Sequence, residues 1–469
     1  MTAIVTTDFR VLNAENFKED VAAGGMYLGI GKPDVWSTSM SDTTDTTPFT
    51  PYDNLENKHE AWKNMLGLKK LQASDITHVV PRHSWTTGNS YTAWDSDQAD
   101  IYDNPFYVIT NEFKVYKCIV KGASVSTQQP TQTNTAPTAE SDGYVWKYMF
   151  TVSVSDAEKF LTLSYIPVKT VSLAFNNDAA AESALSEGDY AQYLNQKASR
   201  DHAKAAGIER IEVTAGGQNY HANDVFTVAF TGDGSGAAVA DAGVTVDGNG
   251  AITALALTDK GTDYSVADIT ITHNNASGGT AGTGATARAV IAPKGGHGVD
   301  PVTELGAFYI GLNTLLGGTD NTDLVIGQDF RQVSLIKNPY NFGTTTVSTD
   351  TTLRATKHLL IASGQNTNGF VVDAILTGGT SGAKAFLAEI DATAGKLYYH
   401  QNSKTGYTPF QNGETVTGVG GGSATLHSGT ALGSAEVANN SGQMIFLENR
   451  TPINRSSSQI EDIKVIIEF

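Results

Sequence analysis

One cysteine, Cys118, stands in 469 residues, so neither an internal disulfide nor a cysteine-based metal cluster can form, and a reducing compartment fits. Basic residues are also scarce: 31 Lys and Arg face 49 Asp and Glu, a formal net charge of −18. Binding to nucleic acid or to an anionic membrane surface needs a positive face. The balance argues against both, and favours a protein that stays soluble at high concentration. No apolar run approaches ~20 residues, which excludes a membrane-spanning helix. The opening MTAIVTTDFRVLNAENF has no charged start followed by an apolar core, so no secretory signal is read there. What the chain does have is glycine, 47 residues, with 13 prolines and 40% hydrophobic residues. That composition indicates a loop-rich, mainly β protein with some helix (α+β), and the length implies two to four domains.

The last thirty residues organise this reading. In IEDIKVIIEF, Ile463, Val465, Ile467 and Phe469 alternate with Lys464, Ile466 and Glu468, the period of a strand. The run from Gln443 to Glu448 is a second short strand, and Asn449-Arg450-Thr451-Pro452-Ile453 with the serines after it reads as a turn and loop. This pair is expected to close a sheet begun much earlier. Upstream, the pattern predicts a short strand at 3–6, a polar helix at 13–21, a strand at 26–31 and an amphipathic helix at 60–71. β runs follow at 77–85 and 106–120. In DGYVWKYMF, Tyr144, Trp146, Tyr148 and Phe150 alternate with Val145, Lys147 and Met149, giving a central strand with one aromatic face. Residues 178–206 read as helix broken at Gly188, 302–316 as helix ending at Gly317-Gly318, and 323–339 as a strand pair.

Between 208 and 291 the chain repeats itself. GGQNYHANDVFTV (216–228) matches KGTDYSVADITIT (260–272): Gly217 with Gly261, Tyr220 with Tyr264, Asp224 with Asp268, Val225 with Ile269. Two copies of a glycine-punctuated strand unit imply a small β module packed copy on copy. A second Gly/Thr-rich module has strand signals at 370–376, 383–390 and 396–401. The expected organisation is therefore a parent core over 1–206, a two-copy module at 207–294, a return to the core at 295–355, a second module at 356–435, and closing strands at 436–469. Insertions of this kind are tolerated where a loop leaves and returns at adjacent points.

No enzyme signature emerges. His59-Glu60 opens like a zinc-protease helix, but position 63 is Lys, so the second ligand is missing. GDGSG at 232–236 and GGGS at 420–423 lack the Lys-Ser/Thr of a phosphate loop and read as turns. Asp233, Asp241 and Asp247 are the carboxylates on which a calcium ion in a β-repeat loop would draw. No nucleophile elbow is present, Cys118 lies in a strand with no nearby His, and His83 reads as a packed loop histidine. A carboxylate pair of the glycosidase kind cannot be picked out. Catalytic, cofactor-binding and metal-ligating residues are all read as none.

Several separated strings share one resemblance. AIVTTDFR, YLGIGKPDVW, PRHSW, DGYVWKYMF, DFRQVSLIKNP and SGQMIFLENRTPI…IEDIKVIIEF resemble, in order, the baseplate wedge subunit of T-even-type contractile-tailed bacteriophages, the product of gene eight. The resemblance covers about 1–200, 300–345 and 436–469; the two β modules depart from it and look like Gly-rich modules in virion proteins of marine and cyanobacterial phages. It implies a late structural virion protein of a myovirus-like tail, assembled in the host cytoplasm and placed in the baseplate. There it would be a homodimer touching neighbouring wedge subunits and passing host contact on to sheath contraction. Isologous pairing would use one patch twice, and such permanent contacts bury more than ~2,000 Å². Candidate interface residues are Arg82 and Trp85, Tyr144 and Trp146 beside Asp142 and Gly143, and Glu448, Asn449 and Arg450. For each, local packing or pairing is the competing reading. The alternative function is a host-surface tail fibre or adhesin whose Tyr220, Tyr264, Tyr398 and Tyr399 stack on carbohydrate; a polysaccharide-cleaving tail enzyme is the third.

Overall fold

Strand accounts for 39% of the chain and helix for 15%, so the protein is mainly β with some α. A computed structural model describes residues 3–40, 44–203, 207–275, 278–318 and 323–469. They form two compact units, one of Met1–Ala14, Thr77–Gly311 and Ile467–Phe469, the other of Glu15–Ile76 and Leu312–Ile466.

In the second unit an antiparallel five-stranded sheet runs Thr352–Arg354, Met65–Lys70, Met26–Gly31, Asp329–Lys337, Gln443–Asn454. Three of the strings quoted above thus become neighbours, with Leu28 opposite Leu335 and Leu335 opposite Phe446. Tyr27, Trp62, Met65, Leu68, Ile336 and Met444 form the core beneath it. Burying each large apolar side chain contributes roughly 1.5–3 kcal/mol. All seven strands of a separate sheet lie between Lys357 and Gly433, and its apolar core of Leu359, Leu376, Leu387, Leu397, Phe410 and Val416 is its own.

In the first unit, Lys114–Val120 and Val145–Thr151 are the inner strands of a sheet edged by Tyr107–Ile109 and Thr138–Ala139. The aromatic strand is therefore central. Phe106, Val115, Met149, Phe150, Ile166 and Val168 pack together at the heart of this unit.

The repeat folds by exchange. Ile208–Gln218 and Ile252–Thr262, equivalent strands of the two copies, each pair with the last strand of the other copy: the former with Thr283–Ile291, the latter with Ser235–Val246. The middle strands, Val225–Gly232 and Ala267–Asn274, pair with each other. Neither copy can close its sheet alone. The tyrosines lock the exchange, because Tyr220 and Tyr264 are buried against glycines of the opposite copy and the same copy's hairpin partner. A β-carbon on Gly282 would fall 2.2 Å from the Tyr220 ring, and one on Gly234 2.5 Å from the Tyr264 ring. Gly282→Val and Gly234→Val should each destabilise the module by ~1–3 kcal/mol, seen as matched losses of amide-exchange protection in both copies. Loss confined to the mutated copy would contradict the exchange.

Several expectations are corrected. The helix expected at 60–71 is Leu55–Asn64, capped by the Asn54 side chain on Asn57 N–H at 2.7 Å, and the chain then turns into the Met65–Lys70 strand. Met65, Leu66 and Leu68 are buried on both faces of that strand. A short apolar run covered on both sides carries no period that separates strand from helix. The same reason explains 302–316, where one helical turn, Pro301–Glu304, is followed by the strand Tyr309–Leu316. Residues 3–6 form no strand, and the helix begins at Thr7 and runs to Ala22. At 323–339 there is one strand, Asp329–Lys337. The break in the Ala-rich helix falls between Asp178–Ala184 and Glu187–Ala203, so Gly188 is helical; residues 204–206 of that expectation lie outside the described residues.

The turn expected at 449–453 is strand. Asn449 pairs with Gln332 and Ile453 with Phe330, so extra residues around Thr451-Pro452 are absorbed as a bulge. An edge strand accepts proline there because its outward N–H is not needed. The closing strands do not pair with each other: Glu461–Glu468 lies in a different sheet, beside Tyr309–Leu316.

Candidate functional site

Two strings distant in sequence meet at Asp142. Its Oδ2 accepts hydrogen bonds from Ser126 Oγ (3.0 Å), Thr127 N–H (2.7 Å) and Gln128 N–H (3.0 Å), and its Oδ1 accepts one from Tyr144 N–H. Burial alone would raise the Asp142 pKa, but these donors hold it below the usual carboxylate range. Trp85 Nε1 donates to the same Ser126 hydroxyl at 3.2 Å. Tyr144 stacks on Trp146, and Tyr91 meets both edge-on. The Asp-Gly-Tyr and Ser-Trp strings are thus one brace that shapes the 121–141 loop.

The opposite face of the aromatic strand is buried too. Lys147 and Lys117 point into the first unit together with Trp94, Glu304 and His297. Lys117 Nζ lies 3.0 Å from Glu304 Oε2 and 4.4 Å from the Trp94 ring centre. Glu304 also accepts the N–H groups of Gly298 (2.8 Å) and Asp300 (3.1 Å). Burial pulls the Lys117 pKa down while Glu304 pulls it back. Lys147, with no carboxylate of its own, falls to about 8, chiefly through burial.

His297 is held neutral by burial and by the lysines around it, its pKa well below the ordinary histidine value. The unfolded chain binds a proton there near pH 6.5 and the folded chain does not. Stability from this group is therefore complete above that pH and is lost as the pH falls below it. One proton is worth at most ~1.4 kcal/mol per pH unit. Denaturant unfolding between pH 7 and 5 should show a shallower loss in His297→Gln than in the natural chain; equal slopes would remove His297 as the cause.

In the second unit the Lys-Pro-Asp string carries its own network. Asp34 is buried, 2.7 Å from Lys32 and 2.7 Å from Lys404, and Asn402 bridges it to Asn64. Burial opposes its ionisation, yet His400, Lys32 and Lys404 hold its pKa well below the usual range. Arg331 chelates Asp45 through Nε (2.9 Å) and Nη2 (2.8 Å) and also donates to the carbonyl of Pro33. Sequence patterning did not point to Lys117, Glu304, Asp34 or Arg331, since each looks like an ordinary surface charge.

The sequence candidates fall in three places. Tyr144 and Trp146 are completely buried, so in this chain they pack the interior and present no surface to a partner. Arg82 is half-buried and donates to Thr162 O (2.8 Å) and Ser84 Oγ (3.1 Å), and Trp85 is half-buried against the same aromatic cluster. Glu448 and Arg450 pair at 2.8 Å, and Asn449 bonds Phe49 O and Gln332. All three lie on an edge strand.

The other chemical readings find local employment. Glu60 accepts hydrogen bonds from Ser403 and Tyr407. Asp233 binds Ser265 and Val266, Asp241 binds Phe226 N–H, and Asp247 binds Asn249 and Ala251. No group of three or more His, Cys, Asp or Glu able to hold a metal ion occurs among the described residues. Burial pushes the Cys118 thiol up to about 12, which disarms it as a nucleophile. Of the tyrosines considered for sugar stacking, Tyr220, Tyr264 and Tyr399 are buried, and Tyr398 lies under the Arg354 guanidinium.

The outside of the first unit carries an apolar arm. Ile4, Val5, Phe9 and Leu12 are 84%, 66%, 54% and 56% exposed, while Val11 and Ala14 on the other side of the same helix are buried. Four large apolar side chains on one arm are a surface for protein contact.

Residues 3–134, somewhat more than a quarter of the chain, match the family model described as Bacteriophage T4, Gp8, which supports the resemblance to the gene-eight baseplate wedge subunit. That similarity supports a structural protein of a T4-like phage tail baseplate. Comparison with curated proteins finds no match. The apolar arm and the Lys32-Pro33-Asp34 string lie within the matched residues.

Proposed function

We propose that this chain is a wedge subunit that pairs with a second copy of itself, docks on neighbouring wedge subunits, and helps convert host contact into sheath contraction after assembly in the host cytoplasm. The parent core over 1–206, 295–355 and 436–469 carries this role, and the modules at 207–294 and 356–435 are insertions displayed on it. The family match over 3–134 is the observation that carries the reading. Two surfaces support it: the apolar arm from Ile4 to Leu12, and the twelve-residue edge strand Gln443–Asn454, which bears Glu448, Asn449, Arg450 and an exposed Ile445. Edge strands accept partners by strand addition. Arg82 and Trp85 remain proposed interface anchors.

Light scattering on the purified chain should give about 99 kDa, twice the 49.6 kDa monomer. Phe9→Asp with Leu12→Asp should leave unfolding within ~0.5 kcal/mol, as for exposed sites. It should also weaken capture of neighbouring wedge subunits on the order of 100-fold, the loss of a hot spot. A trimer, or undiminished capture by the double variant, would overturn the corresponding part of the proposal.

A further inference from the structure

We infer that the first unit contains a binding pocket for a small carboxylate, held between Lys147, Ser199 and His297. A cavity of about 320 Å³ opens there, lined also by His202, Glu209 and Lys260. Its volume suits a small molecule or one inserted side chain.

Three polar side chains beside this cavity, Lys147, Ser199 and His297, are left with unused hydrogen-bonding capacity. The ring nitrogens of His297 and the Ser199 hydroxyl are buried and make no hydrogen bond; the nearest carboxylates to the ring are Glu209 at 3.7 Å from Nε2 and Glu304 at 4.0 Å from Nδ1. Buried polar atoms are paired in the great majority of cases, so the unbonded Ser199 hydroxyl and His297 ring beside one cavity need an explanation. Lys147 Nζ donates to Tyr148 O at 2.9 Å, which leaves two of its three donors free.

The backbone at Gly298 makes room for these groups to converge. Its φ is +94°, and a β-carbon there would fall 3.1 Å from Lys147 Nζ and 3.3 Å from Ser199 Oγ. The ammonium and the hydroxyl therefore both reach a single point above the bare Cα, next to the His297 ring. An added methyl group would occupy the space a ligand needs.

Charge selects the ligand class. Lys117 is matched by Glu304 at 3.0 Å and Lys260 by Glu209 at 2.7 Å, which leaves Lys147 as the one unmatched charge among these groups. Burial lowers its pKa, and Glu304 only partly offsets that. One cation and two neutral donors suit a monoanion with two oxygens. Glu209 and Glu304 stand close enough to repel a dianion such as phosphate. The carboxylate can come from a free small acid or from an acidic side chain of a neighbouring subunit.

The test uses the full chain, melted and titrated calorimetrically with sodium acetate, and separately with a blocked peptide whose one charge is a glutamate. Sodium chloride at matched ionic strength is the control. Saturable stabilisation beyond chloride is expected from at least one probe, with affinity at least ten-fold weaker in Lys147→Met and several-fold weaker in Ser199→Ala. Acetate binding assigns the site to free acids, and binding of the peptide alone assigns it to a partner's side chain. Carbon-13 NMR of the lysine ε-carbons reads the natural chain directly: the ligand should raise the Lys147 titration from about 8. No saturable shift with either probe, or a Lys147 titration that stays unmoved, would overturn the site.

Discussion

Glu304→Ala should lower the stability of the first unit by about 3–5 kcal/mol, the cost of leaving a buried charge without its counter-ion. The stranded charge is Lys117, whose side chain has no exposed surface and whose ammonium sits 3.0 Å from Glu304. The two directions of disruption are unequal. Lys117→Met should cost clearly less, because Glu304 keeps the N–H groups of Gly298 and Asp300 and so remains solvated by the backbone. Removing both, as Lys117→Met with Glu304→Gln, should recover much of the loss, since apolar replacement of a buried pair is often neutral. Urea unfolding followed by tryptophan fluorescence measures the difference, with amide exchange in Lys114–Val120 as the local reporter. Equal losses from the two single variants would show that Glu304 gains nothing from its backbone donors.

Arg455→Ala should destabilise the second unit by a similar ~3–5 kcal/mol. Arg455 is 1% exposed and spends its guanidinium on four acceptors: Glu461 at 2.8 Å, and the carbonyls of Val325 (3.3 Å), Gly317 (3.0 Å) and Gly318 (2.9 Å). Truncation strands a carboxylate and three carbonyls in the interior, each costing roughly 1–3 kcal/mol, with relaxation and water entry returning part of the sum. Arg455→Lys should rescue less than half, because an ammonium cannot span a carboxylate on one side and carbonyls on the other. The midpoint of urea unfolding reads both variants. A lysine variant as stable as the natural chain would mean that charge, not the planar fork, holds these segments.

These two residues also show where sequence reading stopped. Lys117 and Lys147 occupy positions in strands whose other face is aromatic, and alternation assigns such lysines to solvent. The segment from Gly295 to Glu304 covers that face instead, 148 residues or more away in sequence. Arg455 stands before a run of serines and looks like a loop residue until Gly317, Gly318 and Val325 are brought to it. Local pattern cannot report a cover that arrives from elsewhere in the chain.

Where both faces of an element are alike, pattern failed for a related reason. Met65–Lys70 and Tyr309–Leu316 are buried on each side, so their apolar residues fell by chance at helical spacing. By contrast, Met26–Gly31 was legible to the residue because Gly25 and Lys32-Pro33 bound a compact apolar run.

From its sequence alone this protein was determined to be mainly β, cysteine-poor and acidic, to carry a two-copy module, and to resemble a baseplate wedge subunit through strings dispersed along the chain. Composition and repeated spacing are properties of neighbours in sequence, and survive without coordinates. Only the tertiary structure decided that three of those strings are adjacent strands, that the repeat closes by exchanging strands between copies, and that Tyr144 and Trp146 face inward. It also decided which charges lie buried, because pairing and burial depend on residues that meet only after the chain has folded back on itself.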